Sequence, residues 1–154
     1  MNREILFRGK PKENSSYEQE WGYGVPVPVE HNTYPTGRID LVKSVNYNKL
    51  DGFIPSWEVC NCEIKPETLG EYTGLKDRNG NRIFEGDILS GHLDDLFPEN
   101  ETRLTVVWHE TGWFGWNHGC HAFDDFENQF SRQFEIIGNI HDNPELIKGV
   151  MKDD

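Results

Sequence analysis

Alanine occurs once in this 154-residue chain, at Ala122. Alanine is the strongest helix former, whereas glycine, present 15 times, weakens helix interiors. Five tryptophans, five tyrosines and nine phenylalanines favour pleated, half-buried surfaces instead. A chain of this make-up builds its core from strands and tight turns, so a mainly β protein is expected. The aromatic content also excludes a disordered, solvating chain.

Charge narrows the partners. Fifteen Lys and Arg against 27 Asp and Glu give a formal charge of −12, which argues against direct nucleic-acid binding over a broad surface. No run approaches the ~18 apolar residues of a membrane span. The opening Met1-Asn2-Arg3-Glu4-Ile5 lacks the apolar stretch of a secretory signal. Three cysteines cannot close a disulfide framework without a leftover thiol, so reduced thiols in a cytoplasm are expected.

Along the chain, Ile5-Leu6-Phe7 reads as a short strand ended by Gly9 and Pro11. From Trp21 to Val29 apolar residues fall on every odd position, the alternation of a half-buried strand. Pro26 and Pro28 cannot donate to a ladder, which puts its second half on a sheet edge. Strand-like runs follow at Ile39–Val45 and Ile54–Ile64, then Thr68–Thr73. Gly74–Phe84 reads as a hairpin, with Asn79-Gly80 suited to a type I′ turn. Glu85-Gly86-Asp87 reverses the chain into Ile88-Leu89. Leu104–Trp108 reads as a strand, with Trp113–Trp116 returning antiparallel across Glu110-Thr111-Gly112. Phe123, Phe126, Phe130 and Phe134 have the spacing of one face of a short helix, and Phe134–Ile140 then reads as a strand. Asn143-Pro144-Glu145 is a helix start, with Asn at the cap and Pro in the first turn. Short, closely spaced strands with tight turns predict a small barrel.

Three blocks in order give the chain a family resemblance. The segment Gly70-Glu71-Tyr72-Thr73-Gly74-Leu75-Lys76-Asp77-Arg78-Asn79-Gly80-Asn81-Arg82-Ile83-Phe84-Glu85-Gly86-Asp87-Ile88 resembles the signature of the YopX family of phage and prophage proteins, with Glu71 in place of the usual Gln. Arg3-Glu4-Ile5-Leu6-Phe7-Arg8-Gly9 and Glu135-Ile136-Ile137-Gly138-Asn139-Ile140-His141-Asp142-Asn143-Pro144-Glu145-Leu146 resemble its opening and closing blocks. The resemblance implies an SH3-like barrel and a phage-related origin in a bacterial host cytoplasm, and carries over no activity. The expected architecture is a β-rich N-terminal region over residues 1–66, then an SH3-like barrel with a short C-terminal helix over 67–154.

Most of the signature has a structural explanation. Gly74, Gly80 and Gly86 suit tight turns or close backbone approach. Asp77 and Asn79 suit side-chain bonds to nearby backbone. Gly138 and Asn139 of the closing block are counted with the structural motif. Glu85 and Asp87 flank a glycine, and an acid–base pair there defines the alternative reading of a small hydrolase or metal-dependent enzyme, joined by the segment from His118 to His121. His118, Cys120 and His121 are metal-ligand types, but their spacing and that of Cys60-Asn61-Cys62 fit no zinc knuckle. No phosphate-binding glycine loop or nucleophile elbow is present, and no cofactor is expected.

The residues left over are aromatic and acidic. Trp113, Phe114 and Trp116 cannot all face one side of a strand, so a ring is expected at the surface. Residues 92–130 hold eight carboxylates against one base, Arg103. Asp94, Asp95, Asp124 and Asp125, with the three rings, are the candidate binding residues. They favour a non-enzymatic module that engages a basic host protein and assembles as a homo-oligomer.

Overall fold

The computed structural model describes residues 5–13, 20–31, 34–43, 60–92, 101–125 and 133–148. They form two compact units, Asn2–Glu71 and Tyr72–Asp154. Among them every strand pairing is antiparallel and one helix is longer than a single 3₁₀ turn.

The first unit is built from β1 (Phe7–Gly9), β2 (Gly22–His31), β3 (Tyr34–Lys43), β4 (Cys60–Ile64) and the start of β5 (Gly70–Lys76). Leu41, Cys62 and Ile64 form its core, with Phe7, Ile39 and Leu69 packed against them. The period-two pattern of β2 is real, but its apolar side chains point the other way. Tyr23, Val25 and Val27 are exposed while Gly22 and Gly24 are buried. β1 stops opposite Gly24, so beyond it that side of β2 has no partner strand among the described residues. The donors missing at Pro26 and Pro28 are tolerated at such an edge.

The second unit continues β5 from Tyr72 and adds β6 (Arg82–Phe84), β7 (Asp87–Gly91), β8 (Thr102–His109), β9 (Gly112–Asn117), β10 (Ala122–Asp125), β11 (Phe134–Asn139) and α1 (Glu145–Lys148). Its core is Ile83, Leu89, Leu104, Val106 and Phe134, with Leu75, Trp113 and Ile136 against it. The β8–β9 reversal falls at Glu110-Thr111, where the sequence places it.

The SH3-like barrel is not formed. The sheet of the first unit runs β4-β3-β2-β1-β5 and that of the second β10-β9-β8-β7-β11, and neither closes among the described residues. Closure requires a sheet's outermost strands to tilt, stagger and pair with each other. Here β11 pairs with β7, which leaves β10 and β11 on opposite edges. Tight turns and short strands occur equally in an open meander, so they do not distinguish the two.

Three local readings also change. Phe123 lies in β10 and Phe134 opens β11, so those two rings share no helix; Phe126 and Phe130 lie outside the described residues. In the Asn79-Gly80 turn only Gly80 takes positive φ (83°), with its N–H donating to Asp77 O at 3.0 Å and Asp77 N–H donating to Asn81 O at 2.9 Å. A type I′ turn needs positive φ at both central residues; this loop needs it once, in the manner of a turn closed by a glycine bulge. Asn143 does not cap α1 with its side chain: Asn143 Oδ1 accepts from Asn139 N–H at 3.3 Å.

Candidate interaction surface

Strand register sorts the aromatic residues of β8, β9 and β10 onto two faces. Leu104, Val106 and Trp113 point to the core side, together with Trp108, which pairs opposite Trp113. Trp108 is 53% exposed and meets Trp113 edge-to-face at 5.1 Å. Trp113 Nε1 is buried with no hydrogen-bond partner among the described residues. The opposite face carries Phe114 and Trp116 from β9, His109 from β8 and Phe123 from β10, because Phe123 pairs opposite Trp116. His109 stacks on Phe123 at 4.0 Å and 13°, Trp116 meets Phe123 edge-on at 4.8 Å, and Phe114 lies 6.0 Å from both Phe123 and His109. Phe123 remains 42% exposed. The result is a ring surface on the outer face of an edge hairpin. Its acidic neighbour is Glu110, whose exposed carboxylate lies 3.9 Å from His109 Nε2.

The turn from β9 to β10 frames one end of this surface. Asn117 Oδ1 accepts from the N–H groups of Gly119 (2.9 Å) and Cys120 (3.3 Å), and Asn117 Nδ2 donates to Asp124 Oδ2 at 3.1 Å. His121 takes a left-handed φ of 51° and lies stacked on Trp116 at 6.4 Å. His118 is only 6% exposed, and its Nε2 is hydrogen-bonded to Thr105 Oγ1 at 2.7 Å. Its Nδ1 is buried with no partner among the described residues. Burial, and to a smaller degree repulsion from His121, pushes the His118 imidazole below its usual pKa.

The candidate binding residues separate accordingly. Phe114 and Trp116 join one surface, and Trp113 belongs to the other. Asp124 is engaged by Asn117. Asp125 pairs opposite Phe114, with its side chain outside the described set; Asp94 and Asp95 lie outside the described residues altogether. His109 and Phe123 were missed by sequence reasoning. The register across β8–β9–β10 is the signal that finds them, and the three- and four-residue spacing of the phenylalanines obscured it.

The signature residues turn their polar groups inward. Asp77 is buried; its Oδ1 accepts from Asn79 and Asn81 N–H, both at 2.9 Å, and its Oδ2 accepts from Ile136 N–H at 3.0 Å. Asp87 is buried as well and accepts from Phe84 N–H at 2.8 Å. Asn139 Oδ1 accepts from His141 and Asp142 N–H, both at 3.0 Å. Gly74 and Gly86 both take φ of 88°, and Gly86 exchanges backbone bonds with Val106 and Ile140. Gly138 sits against Asn143. Glu85 is half-buried beside Asp87. Cys62 is a buried thiol raised in pKa chiefly by burial, and Cys120 is exposed; the Cys60 side chain lies outside the described set. No group of three or more His, Cys, Asp or Glu side chains converges as metal ligands do among the described residues. Among them, no helix is long and apolar enough to cross a membrane.

Comparison with known proteins adds the following. The family model described as YopX protein matches residues 7–148. No curated protein matches the chain. The chain is similar to protein EF1440 from Enterococcus faecalis, whose crystal structure superposes with a TM-score of 0.49 at 21% identity, covering 95% of this chain and 99% of that one.

Proposed function

The chain belongs to the YopX family, and from that premise we propose that it is a non-enzymatic interaction module of phage or prophage origin, acting in the host cytoplasm on a basic host protein. The observation that carries this reading is the outward ring surface of Phe114, Trp116, Phe123 and His109 on β8–β10. Aromatic faces attract Arg and Lys side chains by about 0.5–2 kcal/mol per contact, depending on desolvation. The formal charge of −12 draws a basic partner towards the protein before contact. An acid–base or metal-dependent reaction on Glu85 and Asp87 has less support, because the Asp87 carboxylate is buried and bonded to Phe84 N–H.

The test is titration with an octa-arginine peptide and an octa-glutamate control, followed through Trp fluorescence at low and high salt. Binding of the basic peptide alone, weakened by salt and by Trp116→Ala, is the expected result. Equal binding of both peptides, or an unaffected Trp116→Ala variant, overturns it. The same reading has the chain self-associate through its exposed strand edges or rings; a clean monomer by light scattering at high concentration overturns that part.

A further inference from the structure

We infer that His118 is a proton-sensitive brace that holds the Asn117–Ala122 turn closed when neutral and loosens it in mild acid, so that the adjoining ring surface is regulated by pH. The regulated surface is the one proposed above, so the binding half of the inference rests on that reading. The brace itself does not.

The geometry is that of an imidazole sealed in with one nitrogen used and one idle. Nε2 holds Thr105 of β8 at 2.7 Å, across the sheet from the turn that carries the ring. The His118 N–H donates to Arg103 O at 3.3 Å, so backbone and side chain both dock the turn on β8. Nδ1 is buried without a partner among the described residues. When neutral, the ring tolerates that arrangement. When protonated, it presents a second N–H and a positive charge to a site where the described residues supply no acceptor for them. Among the described residues, no counter-charge is paired with the ring. On the turn, His121 adds repulsion and Cys120 is exposed. On β8, the Arg103 guanidinium is turned to Glu101 and to the Leu146 carbonyl of α1. On β10, the Asp124 carboxylate is held by Asn117. Hydration of the charged ring therefore requires the turn to lift from Thr105. His121 stacks on Trp116 and Phe123 pairs opposite it, so lifting the turn disturbs the ring surface directly.

The experiment follows the intact protein by NMR from pH 7.5 to 5. The imidazole ¹⁵N signals give the His118 midpoint, while Gly119 and Cys120 amides and the Trp116 indole report on the turn. The expected result is a His118 midpoint below 6.5 shared by all three reporters, with octa-arginine affinity falling at least threefold across it. His118→Gln, which keeps a donor for Thr105 but does not titrate, is expected to abolish the shared transition. Reporters that move with a midpoint different from that of His118, or a transition that survives His118→Gln, overturn the brace. The native-protein midpoints decide the matter even if the variant does not fold. If octa-arginine fails to bind at pH 7.5, the binding reading falls, while the shared or unshared midpoints still decide the brace.

Discussion

Around Asp77 both carboxylate oxygens are filled by backbone N–H groups from its own turn and from β11. Some strands away in the same unit, Phe114, Trp116, Phe123 and His109 pack against one another with Phe123 still open to solvent. Both regions are dense in residues of the kinds that bind ligands, yet only the second presents them outward. Asp77 commits three of its acceptor sites to backbone N–H groups of its own chain, so the signature turns are read as structure. Rings retain a free face even when they contact each other edge-on. The difference predicts that damage to the first region appears as lost stability, and damage to the second as lost binding.

The largest effect is expected at Asp77. Asp77→Ala strands three N–H donors, and since bonds to charged groups contribute about 1.5–3 kcal/mol each and buried donors are costly to leave unmet, a loss of about 3 kcal/mol or more is expected in urea unfolding. A loss below about 1 kcal/mol would break the contrast, because it would mean that the carboxylate is dispensable to the fold. At Gly138 the effect is steric. An added Cβ would sit 2.5 Å from Asn143 Oδ1, so Gly138→Ala is expected to cost about 1–3 kcal/mol. Gly138→Ala combined with Asn143→Ala should recover part of that loss. If it recovers none, close approach is not the reason for the glycine.

The extent to which the sequence disclosed these regions follows from the range of the interactions. Asp77-Arg78-Asn79-Gly80 is local, and its turn was legible because each partner lies within four residues. Even there the turn type differs from the expected one, since a type I′ turn needs a positive φ at Asn79 and in this turn only Gly80 takes one. The bond from Asp77 to Ile136 N–H spans 59 residues and left no local trace. The ring surface depends on which strand pairs with which, and Phe123 joins it only through its register with Trp116. Closure of the sheets is likewise a question of the outermost strands, which the spacing of turns does not encode. In β2 the alternation was legible, but a period of two is silent about which face meets the core. There glycines line the core side and Tyr23, Val25 and Val27 face out.

At the ring surface, Phe123→Ala should weaken octa-arginine binding about tenfold, equivalent to about 1.4 kcal/mol. Its stability should change by no more than about 1 kcal/mol, because the ring is already part-exposed. Fluorescence titration and thermal unfolding measured on the same sample separate the two. A Phe123→Ala variant that unfolds as readily as Asp77→Ala would erase the distinction between the regions.

The smallest effect sharpens the comparison, because it concerns a polar group in the outer region that is treated as an inner one. His118 is buried like Asp77, but one of its nitrogens has no partner among the described residues. Its pKa in the folded chain lies below the ordinary value of 6.5, so the unfolded chain binds the extra proton first. Stability is therefore full above pH 6.5 and falls as the pH drops below it, until the lowered folded value is passed. One such group gives a slope of at most about 1.4 kcal/mol per pH unit. Glu101 has the same sign in a different window. Its bonds from Arg103 and Ser90 hold it below 4.5, so its contribution is lost only in stronger acid. Urea unfolding at pH 7.5, 6.5 and 5.5 should thus show native stability declining relative to His118→Gln over the lower interval. Parallel curves would mean that the idle nitrogen carries no penalty, and His118 would then belong with the saturated groups around Asp77.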